Sequence, residues 1–204
     1  MAYTDNYQIQ AQQAKAHFLR YDQQTLIRKL KLRHDEEYLY ANMLGAPYRI
    51  HRATGNLERQ KKDTWQDANS FTEVMTFLDL LCDSREDRYL ACRWKNMQDF
   101  GLMFHRNLLE HQKDPYALRF QENLEGFRKA CGALGGKPLP QGDAAYAIEL
   151  FDGLCFAIQL WLGDEEFPPQ LRFLLDANAQ MYLRYETMHF AKGLLLSRIL
   201  EEME

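Results

Sequence analysis

The sequence predicts an α+β fold, in which helices pack on an antiparallel three-strand meander in the C-terminal half and the N-terminal half is mostly helical. Three patterns predict it: apolar residues at helical spacing up to residue 45, three runs of alternating apolar residues between 144 and 175, and a Gly/Pro-rich joint at 135–142. Because a three-stranded sheet exposes apolar surface, helices must cover it. We expect one domain over 1–204, with a division into a mainly helical 1–134 and a sheet-plus-helix 135–204 left open.

The first 45 residues are predicted to form two helices. The first is indicated by its apolar positions, which are Tyr7, Ala11, Ala14, Phe18 and Tyr21. Asp22 is a suitable N-cap for the second helix, because its carboxylate can accept from the free N–H groups of the first turn. The second pattern starts at Leu26 and continues through Tyr38 and Leu39 to Met43. We therefore expect helix up to the stop at Gly45-Ala46-Pro47.

A short ribbon and a capped helix follow. Weak alternation over 48–53, a Thr54-Gly55-Asn56 turn and the segment 57–59 indicate two short strands. Ser70 and Glu73 form a capping box ahead of an apolar face that ends at Leu81. The sequence predicts a helix over 70–81, followed by a charged break at 83–88.

The next helix is bounded clearly at both ends. Asp114 followed by Pro115 is a typical start, since proline has no N–H to leave unsatisfied in the first turn. Its apolar face contains Phe120, Leu124, Phe127, Cys131 and Leu134. Gly135-Gly136, with Pro138 after it, predicts the stop. One helix is expected over 115–134.

Three alternating segments then predict the meander. Asp152-Gly153 is a strong two-residue hairpin signal between the first two strands. A simple turn there pairs Phe151 with Leu154, which puts Leu150 and Leu154 on opposite faces. Either both faces are covered or a bulge shifts the register by one residue. After the third strand, Asp176-Ala-Asn178 is expected to cap a final helix that runs to about Leu200.

Composition excludes several classes. The net charge of −4 disfavours a dedicated nucleic-acid binder. No apolar stretch reaches about 18 residues and the start of the chain lacks a leader pattern, so no membrane partner and a cytoplasmic location are expected. The four cysteines form no CxxC pair, which disfavours an all-cysteine metal site. Cys82, Cys131 and Cys155 are expected to be buried, reduced thiols.

The second half resembles an uncharacterised family of bacteria and archaea, notably anaerobes, named domain of unknown function 3786. The resemblance is carried by Leu134-Gly135-Gly136-Lys137-Pro138, Gly142-Asp143, Leu150-Phe151, Trp161 to Pro168, Asp176 and Tyr182-Leu183 with Glu186. It is specific over about 118–200. The resemblance implies that some relatives are joined to an iron–sulfur cluster domain. It therefore implies this fold and a redox context, but no activity.

Carboxylates at one edge of the predicted sheet form the first candidate site: Asp143, Asp164, Glu165 and Glu166. Counting outward from the turn at 152–153 places Asp143 opposite Leu162, near Asp164. Carboxylates there can bind a divalent metal or act as an acid/base pair. They can equally accept backbone hydrogen bonds, and alternating strand residues do not easily meet one ion. No metal is assigned.

Two further patterns are weaker. Arg49, Arg52 and Arg59 belong to a basic ribbon over 49–62 that can contact phosphate groups, against the simpler interpretation of a solvated ribbon. Glu186 and His189 have the i, i+3 spacing of di-iron ligands, but no second such motif occurs.

The sequence therefore favours a non-catalytic binding or accessory module, in a redox or metallocofactor context that rests on the resemblance alone. A metal-dependent enzyme using Asp143 and Asp164 is the alternative, and a phosphate-ligand or nucleic-acid binder is the third. Whether the chain is an enzyme stays open and no cofactor is identified. A protein partner and a small-molecule ligand both remain candidates.

Overall fold

The computed structural model describes residues 6–101 and 114–204, and the chain divides into two compact units. The first unit comprises Met1–Tyr89 and Gln180–Leu194, and the second comprises Leu90–Ala179 and Leu195–Glu204. Within the described residues, each unit combines helices with a five-stranded antiparallel sheet. The α+β class is confirmed. The single-domain organisation stays a prediction.

The first unit places helices beside a meander. The helices are α1 (Asn6–Arg20), α2 (Gln23–Leu30) and α3 (Phe71–Cys82), with the start of α6 (Tyr185–Met203). The sheet has the order β1-β2-β3-β4-β5, formed by Arg33–His34, Tyr38–Met43, Ala46–His51, Leu57–Lys61 and Thr64–Asp67. Tyr48 and Phe77 have ring centroids 5.5 Å apart, so the inner face of β3 packs on α3.

The predicted caps of these helices are present. Asp22 Oδ1 accepts from the Gln24 N–H of α2 at 3.1 Å. Ser70 Oγ accepts from the Glu73 N–H of α3 and donates to the Glu73 carboxylate at 2.8 Å. The ribbon expected over 48–59 is also confirmed, as β3 and β4. Local sequence chemistry decides these ends because each cap satisfies a backbone N–H that has no partner inside the helix.

The expected helix through Met43 is wrong. Lys31 adopts φ of 52° and ends α2, and Tyr38–Met43 forms β2, paired with β3. Leu39 and Met43 are buried while Tyr38 and Tyr40 are half-buried on the other face, which is the period of a strand. The Gly45 region is a hairpin turn, since Leu44 and Gly45 have φ of 48° and 71°.

The second unit contains the predicted meander with one more strand at each edge. Its sheet has the order β6-β10-β9-β8-β7, formed by Trp94–Asn96, Gln170–Asp176, Leu154–Trp161, Ala144–Phe151 and Lys137–Pro138. A short 3-10 helix (Met97–Phe100) follows β6. The meander β8-β9-β10 is thus confirmed, and sequence alternation predicted its three long strands but not the two short ones.

The single helix expected over 115–134 is wrong in one respect. It is two helices, α4 (Pro115–Glu122) and α5 (Leu124–Ala133), separated at Asn123. The Asn123 side chain accepts from the Gly126 N–H at 2.9 Å, which starts a new helix where the apolar spacing runs on unbroken. α4 contacts β9 and β10, and α5 contacts β8, so this segment covers the sheet as expected.

A bulge settles the register of the β8–β9 hairpin. Phe151 pairs with Leu154, but Ile148 pairs with Phe156, and the irregularity lies between Glu149 and Phe151. Asp152 and Gly153 have φ of 49° and 81°, as the predicted turn requires. The extra residue returns the alternating apolar positions of both strands to one face.

The start of the last helix was predicted too early. The Asp176 carboxylate accepts from the Asn178 N–H at 2.8 Å and also from Ala91 N–H at 2.8 Å. It closes a turn ahead of a short 3-10 helix (Ala179–Met181), and α6 begins only at Tyr185.

Candidate functional site

An apolar groove lies beside α1 and α3 in the first unit. Its volume is about 1030 Å³. The lining residues are Tyr7, Gln8, Ile9, Ala11, Gln12, Gln13, Lys15, Ala16, Asn69, Phe71, Thr72 and Phe190. The Phe71 ring lies 4.8 Å from that of Tyr7 and 4.9 Å from that of Phe190, measured between centroids. Tyr7 is 57% exposed and Ile9 41% exposed, so large apolar side chains face the opening.

Lys15 supplies the charge in this groove. It is a buried residue of α1, only 8% exposed. Its Nζ donates to Asn69 Oδ1 at 2.6 Å and to Asn56 Oδ1 at 3.1 Å. Burial lowers the pKa of Lys15, and the Asp67 charge opposes that shift only in part. The ammonium therefore donates its hydrogen bonds to two neutral amide oxygens.

A second groove of about 740 Å³ contains a carboxyl pair. Asp79 and Asp83, four residues apart at the end of α3, both form ion pairs with Arg184. Arg184 also donates its backbone N–H to Asp79 Oδ2 at 3.2 Å. This network joins the end of α3 to the residue that precedes α6, so its first role is structural.

The two aspartates of this pair differ in pKa, although their side chains are identical. Burial opposes ionisation of Asp79, but hydrogen bonds from Asp83, Thr187 and the Arg184 N–H outweigh it and lower its pKa. Burial, together with the hydrogen bond to Asp79, raises the pKa of Asp83 to about 6. Two adjacent carboxyls commonly share one proton in this way. Asp83 can therefore exchange a proton near neutral pH.

Sequence reasoning missed both grooves. The signal for the carboxyl pair was a charged residue inside an apolar helix, because Asp79 stands between Leu78 and Leu80. A buried charge needs a partner, but nothing in the sequence points to Arg184, which is distant along the chain. The signal for the apolar groove was weaker, since Tyr7 fits the core spacing of α1 and its exposure follows only from packing.

The structure places Asp143 at the predicted edge of the second sheet. Its backbone N–H donates to the Leu160 carbonyl at 2.9 Å, and its Oδ2 accepts from the Leu162 N–H at 2.8 Å. Asp143 therefore does face the end of β9. Its carboxylate links the residue after β9 to the residue before β8, and so accepts a backbone hydrogen bond, which was the alternative to a metal-binding or acid/base role.

Asp164 closes its own loop. Its Oδ1 accepts from the N–H groups of Glu166 and Phe167 at 2.9 and 2.8 Å. These hydrogen bonds lower the pKa of Asp164. Glu165 and Glu166 are exposed, and within 6–101 and 114–204 no group of three or more His, Cys, Asp or Glu side chains is arranged to hold a metal ion. The metal hypothesis for this edge stays a prediction.

The three arginines of the basic ribbon meet different partners. Arg49 pairs with Glu58 at 2.6 Å, with its guanidinium over the Tyr38 and Trp65 rings at 4.1 and 4.5 Å. Arg59 points to the opposite face, 3.9 Å from Glu73 Oε1.

Arg52, the third of them, donates to Gln23 Oε1 at 3.0 Å and to the Asp35 carbonyl at 2.7 Å. Since Arg49 and Arg59 lie on opposite faces of the sheet, the ribbon does not present one phosphate-binding face built from all three.

The remaining candidate residues are spread apart. Glu186 and His189 are both exposed on α6, and the His189 ring packs edge-on against Tyr185, with centroids 4.9 Å apart. Cys82 and Cys131 are buried, and burial raises the pKa of each thiol to about 12. Cys155 is half-buried rather than fully buried. The two buried thiols are poor nucleophiles at neutral pH because only the thiolate reacts.

Comparison with known families identifies the chain. The model of the family "Domain of unknown function (DUF3786)" matches residues 22–198. The chain belongs to this family. The match includes the carboxyl pair, the sheet edge and most of both units, and the resemblance inferred from the second half is confirmed. Comparisons with curated proteins and with solved structures gave no match. In the part of the chain that the structure describes, no helix is long and apolar enough to cross a bilayer.

Proposed function

We propose that this DUF3786 protein is a non-catalytic binding module whose ligand is a small molecule with an apolar body, held in the groove beside α1 and α3. One observation carries the proposal: exposed Tyr7 and Ile9 border a groove of about 1030 Å³ floored by aromatic rings. Small-molecule sites are typically apolar concavities of roughly this volume, with a few polar groups that fix orientation. A ligand that covers these side chains gains free energy because it removes their apolar surface from water.

Other features support binding over catalysis. The Asp143 and Asp164 carboxylates accept backbone hydrogen bonds, which leaves them less free to act on a substrate. The buried thiols have raised pKa values. A link to redox or metallocofactor metabolism is part of the proposal and is supported only by the family resemblance. Metal and cofactor analysis of protein purified without oxygen tests that link.

Binding of the neutral fluorescent probe N-phenyl-1-naphthylamine tests the groove. Ile9→Gln should weaken binding about fivefold, since the ligand would bury the exposed part of the Ile9 side chain, which contributes on the order of 1 kcal/mol. Leu19→Gln is the matched control, because Leu19 lies on the same helix with the same 41% exposure and does not line the groove. It should bind the probe as wild type does.

Two outcomes would contradict the proposal. One is the absence of saturable probe binding, or equal binding by the two glutamine variants. The other is a dimer whose formation depends on concentration and is abolished by Ile9→Gln. That result would make the groove an interface between copies of the chain.

A further inference from the structure

Lys15 is the one charged residue among the described residues that line the apolar groove. The lining contains no carboxylate, and within 6–101 and 114–204 no carboxylate lies at ion-pair distance from its Nζ. An ammonium has three N–H donors, and the two hydrogen bonds to Asn56 and Asn69 leave one of them over. The groove therefore carries a net positive charge at a mostly apolar wall.

The position of this ammonium is fixed before any ligand arrives. Asn69 Oδ1 also accepts from the Leu57 N–H at 3.0 Å, and Asn69 Nδ2 donates to Leu57 O at 3.1 Å and to Asp67 Oδ1 at 2.6 Å. The Asn69 amide is therefore held in one orientation. Gly55 lies against the Lys15 stem, where an added Cβ would come within 3.2 Å of Lys15 Cβ. A preorganised donor loses little entropy when it binds a ligand.

A buried cation without a carboxylate at ion-pair distance is costly, since Asp67 compensates its charge only in part, and an incoming anion offsets that cost. We infer that the groove selects anionic ligands, a carboxylate or sulfonate on an apolar body, and that Lys15 Nζ binds the anionic group. The inference rests on the proposed binding function and adds the chemical class of the ligand. The aromatic rings of Phe71 and Phe190 would then hold the apolar body, and Lys15 its charged end.

Two probes with the same ring system separate the inference from the function on which it rests. 8-Anilinonaphthalene-1-sulfonate is N-phenyl-1-naphthylamine with an added sulfonate. The wild-type protein should bind the sulfonate form about tenfold more tightly, because a hydrogen bond between two charged groups is stronger than one between neutral groups. Lys15→Met should lose that preference while its affinity for the neutral probe stays within about twofold of wild type.

Lys29→Met is the control. Lys29 is a cation of the same unit whose Nζ donates to the Cys82 carbonyl at 3.0 Å, and it does not line the groove. This variant should keep the preference for the sulfonate. If Lys15→Met folds as wild type does and its affinity falls equally for both probes, the inference is overturned, while the groove of the wild type remains a binding site.

If the wild-type protein does not bind the neutral probe, the proposed function itself is contradicted.

A measurement on wild-type protein keeps the test decisive if Lys15→Met does not fold. Decanoate and decanol share one chain and differ in the charged end. Decanoate should displace the neutral probe at a concentration about tenfold lower than decanol does. Equal displacement would show that the groove does not recognise the anionic group, and would overturn the inference.

Discussion

Asp79 and Asp83 show how strongly a residue depends on its neighbours. Both are aspartates of one helical turn, and both meet Arg184. Burial would raise the pKa of Asp79, but hydrogen bonds from several donors lower it. Burial and the hydrogen bond to Asp79 raise the pKa of Asp83 to about 6. Residue type alone predicts neither shift of the pKa. The environment decides which of the two carries the proton.

Asp83→Asn should make stability less dependent on pH. The folded pKa of about 6 is above the ordinary 3.8, so the folded state binds the proton more tightly than the unfolded state. The resulting stabilisation is complete below about pH 4 and is lost as the pH rises through about 6. The asparagine side chain can still donate a hydrogen bond to Asp79, and because it does not ionise, this stabilisation is not lost as the pH rises. Between pH about 4.5 and about 7.5, the variant should gain on the order of 1–3 kcal/mol relative to wild type.

Urea unfolding at the two pH values measures this difference. Asp87→Asn is the control, because Asp87 is an exposed carboxylate of the same segment whose pKa is lowered by Arg85. It should show no gain as the pH rises. A parallel pH dependence in wild type and Asp83→Asn would mean that Asp83 is ionised throughout this range.

At the scale of elements, the loop after β9 is held by its own side chain. The Asp164 N–H donates to the Phe167 carbonyl at 2.9 Å, while the carboxylate accepts two N–H groups in return. Gly163 has no room for a side chain, since a Cβ would come within 2.5 Å of Pro169 N. The motif Gly163-Asp164 is thus explained by backbone geometry before any ligand is considered.

Asp164→Ala should lower the melting temperature, and Glu165→Ala should not. The alanine removes the acceptor for the N–H groups of Glu166 and Phe167, whereas Glu165 is an exposed side chain outside that turn. Because these hydrogen bonds lower the pKa of Asp164, their stabilisation is present at neutral pH and is lost as the pH falls through the folded pKa. Thermal unfolding of both variants at neutral pH is the measurement.

The same experiment addresses the metal-dependent alternative. Melting is repeated with Mg²⁺ or Mn²⁺, which carboxylate oxygens bind in proteins. We expect no change. A metal-induced increase in the melting temperature of wild type that is absent from Asp164→Ala would support a metal site at this edge and contradict the structural interpretation.

At the scale of the whole molecule, charge sets the expected partners. The net charge of −4 disfavours polyanions, and the ribbon arginines are engaged by Glu58, Glu73, Gln23 and Asp35. The protein should therefore not stay bound to a heparin column at about 0.15 M salt. Retention that falls with salt and is weakened by Arg49→Gln would favour the phosphate-binding alternative instead, with Lys129→Gln, an exposed cation outside the ribbon, as the control.

The sequence by itself determined the features that depend on neighbours along the chain. The caps at Asp22 and Ser70, the start at Asp114, the Asp152-Gly153 turn and the three long strands were predictable because each follows from local hydrogen bonding or from side-chain period. The helix predicted over 38–43 was wrong, because the apolar residues there suit either period and pairing with β3 makes the segment a strand.

Tertiary structure decided the candidate sites. Arg184 reaches Asp79 across a separation of 105 residues, and Lys15 reaches Asn69 across 54. Such partners cannot be read from spacing, because burial and charge compensation arise only when distant segments pack together. The alternation over 48–59 placed Arg49 and Arg59 in one ribbon, but only the pairing register put them on opposite faces of the sheet. The physical reason is common to all three cases: the sequence sets local geometry, and packing sets the dielectric, the partners and the exposure that give a side chain its chemistry.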